Sequence, residues 1–221
     1  MLWKLGSAWL GRDAKTGTLL ERPNFNSQMR LRADEITSAP AHYGFHATLK
    51  PPFVLKAGRT AEELRESVST FAASRRSFPI PSLMVANLGP FIAVLLSEPS
   101  PAFQGLADDS VRALDGFRAP PSEEELNGRR KAGLSSRQDE LLRHWGYPYV
   151  FDQWRFHMTL TGPLEQNERH YVQDALGNLL QPALNEPVRI DSICLFRQEH
   201  RARPFQLAER FSFTCEGCAP C

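Results

Sequence analysis

The sequence lacks the features that mark membrane-spanning, secreted and strongly charged proteins. No apolar run approaches the ~18 residues that a membrane-spanning helix needs. The first residues, Met1 to Gly6, contain too short an apolar run for a secretory signal peptide. The formal net charge is only +1, so no global field favours nucleic acid or a membrane surface. We therefore expect a cytoplasmic protein without a membrane partner, in which any basic surface is local.

Cysteine is scarce, with 4 residues, and unevenly placed. Cys215, Cys218 and Cys221 form a Cys-x-x-Cys-x-x-Cys run, to which Cys194 could add a fourth thiolate. This spacing fits a metal or iron–sulfur site, but chain ends without packing partners usually fray. We favour a tail at 215–221 that binds no metal, and we expect no cofactor. A disulfide is still less expected in a cytosolic protein.

What the sequence does contain is a duplicated motif. Phe45–Phe53 reads FHATLKPPF, and Phe156–Leu164 reads FHMTLTGPL. Aligned on the histidines, the two copies share Phe, His, Thr, Leu and Pro at matching positions. A single His-x-Thr would usually have no chemical role, but two copies with matching flanks indicate a functional pair. The remaining alternative is an old duplication whose site has decayed.

The elements predicted around the two copies repeat as well. Each copy is expected on a strand, and the elements that follow are a helix at 60–74, strands at 79–88 and 91–97, a helix at 167–180, and strands at 188–196 and 204–213. A capping box begins the first of these helices at Thr60, and Asn167 is predicted to cap the second. The repeated order predicts a single domain over residues 1–221, made of two lobes at about 1–98 and 99–214.

Alternation along a strand divides each copy into an apolar face and a polar face. The apolar rows are Phe45, Ala47 and Leu49 in the first copy, and Phe156, Met158 and Leu160 in the second. The polar rows are His46, Thr48 and Lys50 in the first copy, and Arg155, His157, Thr159 and Thr161 in the second. If the lobes pack about a pseudo-two-fold axis, the polar rows face each other across a groove.

The polar rows suit metal-free cleavage of a phosphodiester or cyclic phosphate. In-line attack needs a base for the incoming oxygen and an acid for the leaving oxygen, and histidine suits both because its ordinary pKa is about 6.5. His46 and His157 are therefore the predicted acid–base pair, with their separate roles left open. Thr48 and Thr159 are predicted to donate hydrogen bonds to phosphate oxygens. Further predicted substrate-binding residues are Lys50, Arg155, Tyr43 and Thr161.

These segments resemble the 2H phosphoesterase superfamily, which is named for two such motifs. Tyr43–Phe53, Leu5–Ala14 and Trp145–Phe151 are similar to its branch associated with phosphonate-utilisation (carbon–phosphorus lyase) gene clusters. The resemblance implies an α+β, bilobal, pseudo-two-fold fold, with antiparallel sheets around a central cleft and helices outside. It also implies phosphoester chemistry without a metal. Relatives usually open with an apolar strand before the Trp-Leu-Gly segment, so we expect either a different start or a first lobe lacking that strand.

Four functions are compatible with these patterns. The leading hypothesis is a metal-independent phosphodiesterase for a small phosphodiester or cyclic phosphate, such as a sugar cyclic phosphate formed in phosphonate breakdown. The second is an RNA-end enzyme acting on 2′,3′-cyclic phosphates or 2′-5′ linkages, which would use aromatic residues to stack bases. The third is a nucleotide- or RNA-binding module without turnover. A metallohydrolase is least favoured, because the duplicated histidines lack nearby carboxylates and the i, i+4 spacing of such sites.

Overall fold

The computed structural model describes residues 1–25 and 27–214, and the cysteine run predicted at 215–221 lies outside them. The helices are α1 (Leu2–Leu10), α2 (Ser27–Tyr43), α3 (Ala61–Ala73), α4 (Pro101–Leu114), α5 (Glu123–Arg130), α6 (Ser136–Trp145) and α7 (Gln166–Leu184). The strands are β1 (Phe78–Pro79), β2 (Leu83–Leu88), β3 (Phe91–Leu96), β4 (Met158–Thr159), β5 (Arg189–Ile190), β6 (Ser192–Arg197) and β7 (Gln206–Ser212). The described chain is thus α+β, as predicted. None of the described helices has the length and apolarity needed to cross a membrane.

The strands that matter for the motifs form a three-stranded antiparallel sheet in the order β2-β3-β4. Leu88 pairs with Phe91, so only Gly89 and Pro90 form the tight turn that joins β2 to β3. Ile92, Ala93 and Val94 of the central strand are fully buried, so β3 forms the core of the sheet. The strand β1 pairs with β5, and β6 pairs with β7. Residues of β4, which carries part of the second copy, therefore lie directly beside the core strand.

The chain forms two compact units, each assembled from separated segments. The first unit comprises residues 1–47, 79–99 and 156–210. The second comprises residues 48–78 and 100–155 and the segment that begins at Phe211. In the first unit, α7 packs against β2 and β3, and α1 packs against α2 and α7. In the second, α3 packs against α4, and α5 against α6. The division into sequential lobes near residue 98 stays a prediction.

The repeated order of elements is present along the chain. Each motif copy is followed by one helix, a two-residue strand and two longer strands: α3, β1, β2 and β3 after the first, and α7, β5, β6 and β7 after the second. The predicted capping box also forms, with the Thr60 hydroxyl accepting from the Glu63 backbone N–H at 3.1 Å. A pseudo-two-fold relation between the lobes and a cleft between them stay predictions.

Several predicted boundaries were wrong. The strand predicted at 79–88 is interrupted near Pro81, because proline has no N–H to contribute to a ladder. The strand predicted at 188–196 is interrupted at Asp191, between β5 and β6. The predicted cap Asn167 lies inside α7, whose N-cap is Glu165, and burial of Leu180 and Ala183 accompanies the extension of that helix to Leu184.

The motif copies are also less regular than predicted. The second copy contributes only the two residues of β4, and the first contributes a single antiparallel bridge between Ala47 and Met158. Gly44 before the first copy has a φ of +83°, and Pro51 and Pro52 follow it. These residues prevent a long ladder, since a left-handed turn and the missing proline N–H groups end strand pairing on either side.

Candidate active site

A turn at Gly44 positions the first motif copy at the end of α2. Its left-handed backbone favours glycine, and a Cβ atom there would lie 2.6 Å from the Cβ of Ala14. The next residue, Phe45, is fully buried, and its ring lies so close to Gly6 of α1 that a Cβ at Gly6 would be 2.5 Å from it. His46 therefore follows two tightly packed residues, which restrict where its imidazole can point.

The His46 imidazole is oriented by a backbone carbonyl. Its Nδ1 lies 3.0 Å from the oxygen of Gly44. Because a carbonyl oxygen only accepts, Nδ1 carries the proton in the neutral ring and Nε2 remains the basic nitrogen. The ring centroid is 5.0 Å from that of Phe196 on β6. Burial lowers the pKa of His46 below its ordinary 6.5, and the charge of His157 lowers it further, whereas the Gly44 hydrogen bond opposes the shift.

The second motif copy reaches the same unit through β4. Thr159 pairs with Ala93 of β3, and Met158 also bridges to Ala47 on its other side. In an antiparallel pair, the residues that flank a bridge lie opposite each other on one face, which aligns His46 with Thr159. The half-buried ring of His157 lies 6.2 Å from that of Phe91. The first unit thus brings together His46, His157 and Thr159.

Thr161, predicted to bind substrate, is fully buried. Its hydroxyl accepts a hydrogen bond from the backbone N–H of Ile92 at 3.0 Å, and the backbone of Leu160 donates to the Ile92 carbonyl at 2.9 Å. Alternation along the strand predicted Thr161 on a polar row facing a groove, but the side chain is buried and its hydroxyl satisfies a backbone group. Its position fits a structural role at the end of the β3–β4 pairing.

Thr48 and Lys50 lie in the second unit. The carbonyl of Thr48 accepts a hydrogen bond from Nε1 of Trp154 at 2.9 Å. The Lys50 side chain is only 7% exposed, and its ammonium donates to Asp115 at 3.0 Å and to the Val111 carbonyl at 3.1 Å. Burial lowers the pKa of Lys50, and the hydrogen bond to Asp115 opposes that shift. The charge of Lys50 is therefore compensated by the Asp115 carboxylate within the protein.

Asp115 also binds Arg118, at 2.8 Å from Nε and 3.1 Å from Nη2. Burial raises the pKa of Asp115, but the hydrogen bonds from Arg118 and Lys50 outweigh it and hold that pKa below its usual range. Asp115 therefore stays ionised between two cations. The sequence did not predict Asp115 as the partner of Lys50, because the two residues are 65 positions apart along the chain.

The two remaining predicted binding residues are at the surface. Arg155 is exposed. Tyr43, the last residue of α2, is 46% exposed, and its ring stacks on Phe205 with centroids 5.4 Å apart and an interplanar angle of 16°. The sequence did not predict Phe205, Phe196 or Phe91 as neighbours of site residues, because they lie far from the motifs along the chain.

No group of three or more His, Cys, Asp or Glu side chains within residues 1–25 and 27–214 could hold a metal ion. Cys194 is on β6, and the other three cysteines fall outside these residues.

Comparison with known proteins gives a family match and two curated relatives. A family model described as a protein of unknown function (DUF1045) matches residues 48–206. A ribose 1,5-bisphosphate phosphokinase PhnN from Janthinobacterium sp. (strain Marseille) is 34% identical over 216 residues, which cover 96% of this chain and 48% of the relative. A protein of the same name from Laribacter hongkongensis (strain HLHK9) is 34% identical over 205 residues, covering 93% of this chain and 47% of the relative. The chain spans about half the length of each relative.

Proposed function

Because the chain belongs to the DUF1045 family, for which no function is described, we propose from its own residues that it hydrolyses a small phosphodiester or cyclic phosphate. His46 and His157 form the acid–base pair, and the scheme requires no metal ion. One observation carries this proposal: the Ala47–Met158 bridge joins the two motif copies beside their histidines within one unit, and the Gly44 carbonyl lies 3.0 Å from Nδ1 of His46, which favours one tautomer.

The tautomer of His46 favours it as the general base. Its Nε2 accepts a proton from water, and the water oxygen forms a bond to phosphorus. The bond between phosphorus and the leaving oxygen breaks, and protonated His157 donates a proton to that oxygen. A lowered pKa keeps His46 neutral near pH 7, as a base must be, and each positioned proton transfer typically contributes ~10²–10⁴-fold.

A hydroxyl group of the first unit completes the part of the site that lies in that unit. Thr159, aligned with His46 by the strand pairing, donates to a non-bridging phosphate oxygen, where negative charge accumulates. Thr48 and Arg155 belong to the second unit and keep the phosphate-binding roles that the sequence assigns to a hydroxyl and a guanidinium. We leave Lys50 and Thr161 out of the proposed site, since their polar groups already bind partners inside the protein.

The substrate class that we propose is a cyclic phosphate ester of ribose or of a ribose phosphate. Support comes from the name of the two relatives, which refers to ribose 1,5-bisphosphate, and from the resemblance to the phosphonate-associated branch. We do not carry the kinase activity in that name to this chain. It matches only about half of each relative, and its sequence has no Gly-x-x-x-x-Gly-Lys-Ser/Thr loop for nucleotide phosphates.

A screen of sugar and nucleoside cyclic phosphates, with and without a chelator, tests the proposal. His46→Ala and His157→Ala should each lower kcat by ~10²–10⁴-fold while substrate affinity changes little. His170→Ala is the matched control, because that side chain is 89% exposed on α7 and pairs only with Asp174 among the described ion pairs. Variants that lose affinity instead of turnover would indicate a binding module. Loss of activity with the chelator would indicate a metal-dependent enzyme.

A nucleotide or RNA end is the second candidate substrate, and exposed Tyr43, which stacks on half-buried Phe205, favours it. Base stacking on an aromatic ring contributes about 1–3 kcal/mol, so Tyr43→Ala should lower kcat/KM roughly 5- to 150-fold for nucleoside 2′,3′-cyclic phosphates. The effect on a ribose cyclic phosphate should be small, because that substrate has no base. Tyr149→Ala, which removes a 42% exposed tyrosine of the other unit, is the control.

A further inference from the structure

In the first unit, a tryptophan on α1 holds the main chain of the second motif copy. Trp9 is fully buried, and its Nε1 donates to the carbonyl of Leu160 at 2.8 Å. Leu160 is the residue after Thr159, and its own N–H donates to Ile92 of β3. The main chain beyond the His-x-Thr sequence is therefore bound on one side by the sheet and on the other by an indole.

In the second unit, another tryptophan holds the main chain of the first motif copy. Trp154 follows the 3₁₀ turn Phe151–Gln153, and its ring lies 5.7 Å from Phe103 of α4. Its Nε1 donates to the carbonyl of Thr48 at 2.9 Å, so it binds the threonine of the His-x-Thr sequence itself. This bond restrains the peptide plane from which the Thr48 side chain departs.

Packing alone does not explain these two contacts. A phenylalanine would also supply an apolar ring, but an indole adds an N–H donor, which here binds a main-chain carbonyl. Both copies sit in segments with minimal ladder structure, a single bridge in one and two residues of strand in the other. A fixed donor therefore replaces part of the restraint that a longer strand would supply.

We infer that Trp9 and Trp154 are positioning residues, each of which fixes the main chain of the motif segment in its own unit by hydrogen-bonding a carbonyl group. This inference rests on the proposed function for its effect on turnover. Neither indole touches the reacting groups in this scheme; each acts through the main chain that carries Thr159 or Thr48. Misplacement of such a group by a fraction of an ångström slows the chemical step more than it weakens binding.

The test replaces each tryptophan with β-(3-benzothienyl)alanine, which keeps the shape of the ring and removes the N–H. At position 154 we expect kcat to fall about fivefold with KM within about twofold, because a neutral hydrogen bond is worth about a factor of five. The analogue at position 9 should have the same effect. Trp154→Phe should show the same direction of change. The matched control is the same analogue at Trp145, whose ring packs on Phe151 at 4.9 Å.

Equal kcat values for the analogues at positions 9, 154 and 145 would overturn the inference. A wild-type protein that turns over no cyclic phosphate would instead refute the proposed function, and the anchoring is then measured without turnover. ¹⁵N NMR should show slow hydrogen exchange at the indole N–H of Trp9 and Trp154 and faster exchange at Trp145. The analogue at position 154 should then shift amide signals near Thr48. Fast exchange at Trp9 and Trp154, or no such shift, would overturn the inference.

Discussion

Gly44 is the position where one added methyl group should disturb both the fold and the proposed base. Its φ of +83° is left-handed, which costs a residue with a Cβ atom about 1–2 kcal/mol. The new Cβ would also lie 2.6 Å from that of Ala14, and overpacking of this kind typically costs about 1–3 kcal/mol. We therefore expect Gly44→Ala to lower the free energy of unfolding by roughly 2–5 kcal/mol.

Gly58→Ala separates the two contributions. Gly58 has nearly the same φ, +82°, but no described atom lies within 4 Å of an added Cβ. It should lose only the backbone term, about 1–2 kcal/mol. The difference between the variants, about 1–3 kcal/mol, corresponds to roughly 2–12 °C in Tm for a chain of this size.

The measurements are thermal and urea unfolding, followed by kcat on any substrate found in the screen. Gly44→Ala should also lower kcat of the folded protein, because the Gly44 carbonyl orients the His46 imidazole, whereas Gly58→Ala should not. Equal Tm values for the two variants would refute the packing argument. An unchanged kcat in Gly44→Ala would refute the role of this carbonyl in holding the base.

Three further outcomes are expected. The proposed base is the neutral form of His46, whose pKa is lowered from its ordinary value by burial, so the low-pH limb of a kcat/KM profile should have its midpoint below pH 6.5. Asp115→Asn should lower the free energy of unfolding in urea by about 1–3 kcal/mol, because the substitution leaves the buried Lys50 ammonium poorly compensated. The loss should be smaller than for a fully buried ion pair, because Asp115 is partly exposed. Thr161→Val should lower the free energy of urea unfolding by about 1–3 kcal/mol, because the Ile92 N–H loses its acceptor, with kcat unchanged.

Each of these outcomes has its own control or contrary result. A low-pH limb of kcat/KM with its midpoint well above pH 6.5 would assign the base to another group. Asp152→Asn breaks an exposed pair with Arg137 and should change Tm little, so an equal loss in both aspartate variants would contradict the burial argument. If Thr161→Val lowers kcat without lowering the free energy of unfolding, the Thr161 hydroxyl binds substrate, as the sequence predicted.

Local chemistry made much of the fold predictable. The Thr60 capping box and the turn at Gly89 depend on residues a few positions apart, so their patterns are visible in the sequence. The duplicated motif is visible for the same reason. Strand lengths were overestimated because apolar alternation does not show where Gly44 or Pro81 stops a ladder. Where β-structure depends on pairing with distant residues, local pattern alone is a weak guide.

The residues of the proposed acid–base chemistry, two histidines and two threonines in matching contexts, can be read from the chain alone, because a motif is a local property. The sequence alone does not show which polar side chains near the motifs are buried. Lys50 pairs with a carboxylate far away along the chain, Thr161 satisfies a backbone N–H of the core strand, and Trp9 of α1 binds the carbonyl of Leu160. Each of these contacts joins residues that only tertiary packing brings together. A buried polar group without a hydrogen-bond partner raises the free energy of the folded state, so the fold is stable only when each of these groups is paired.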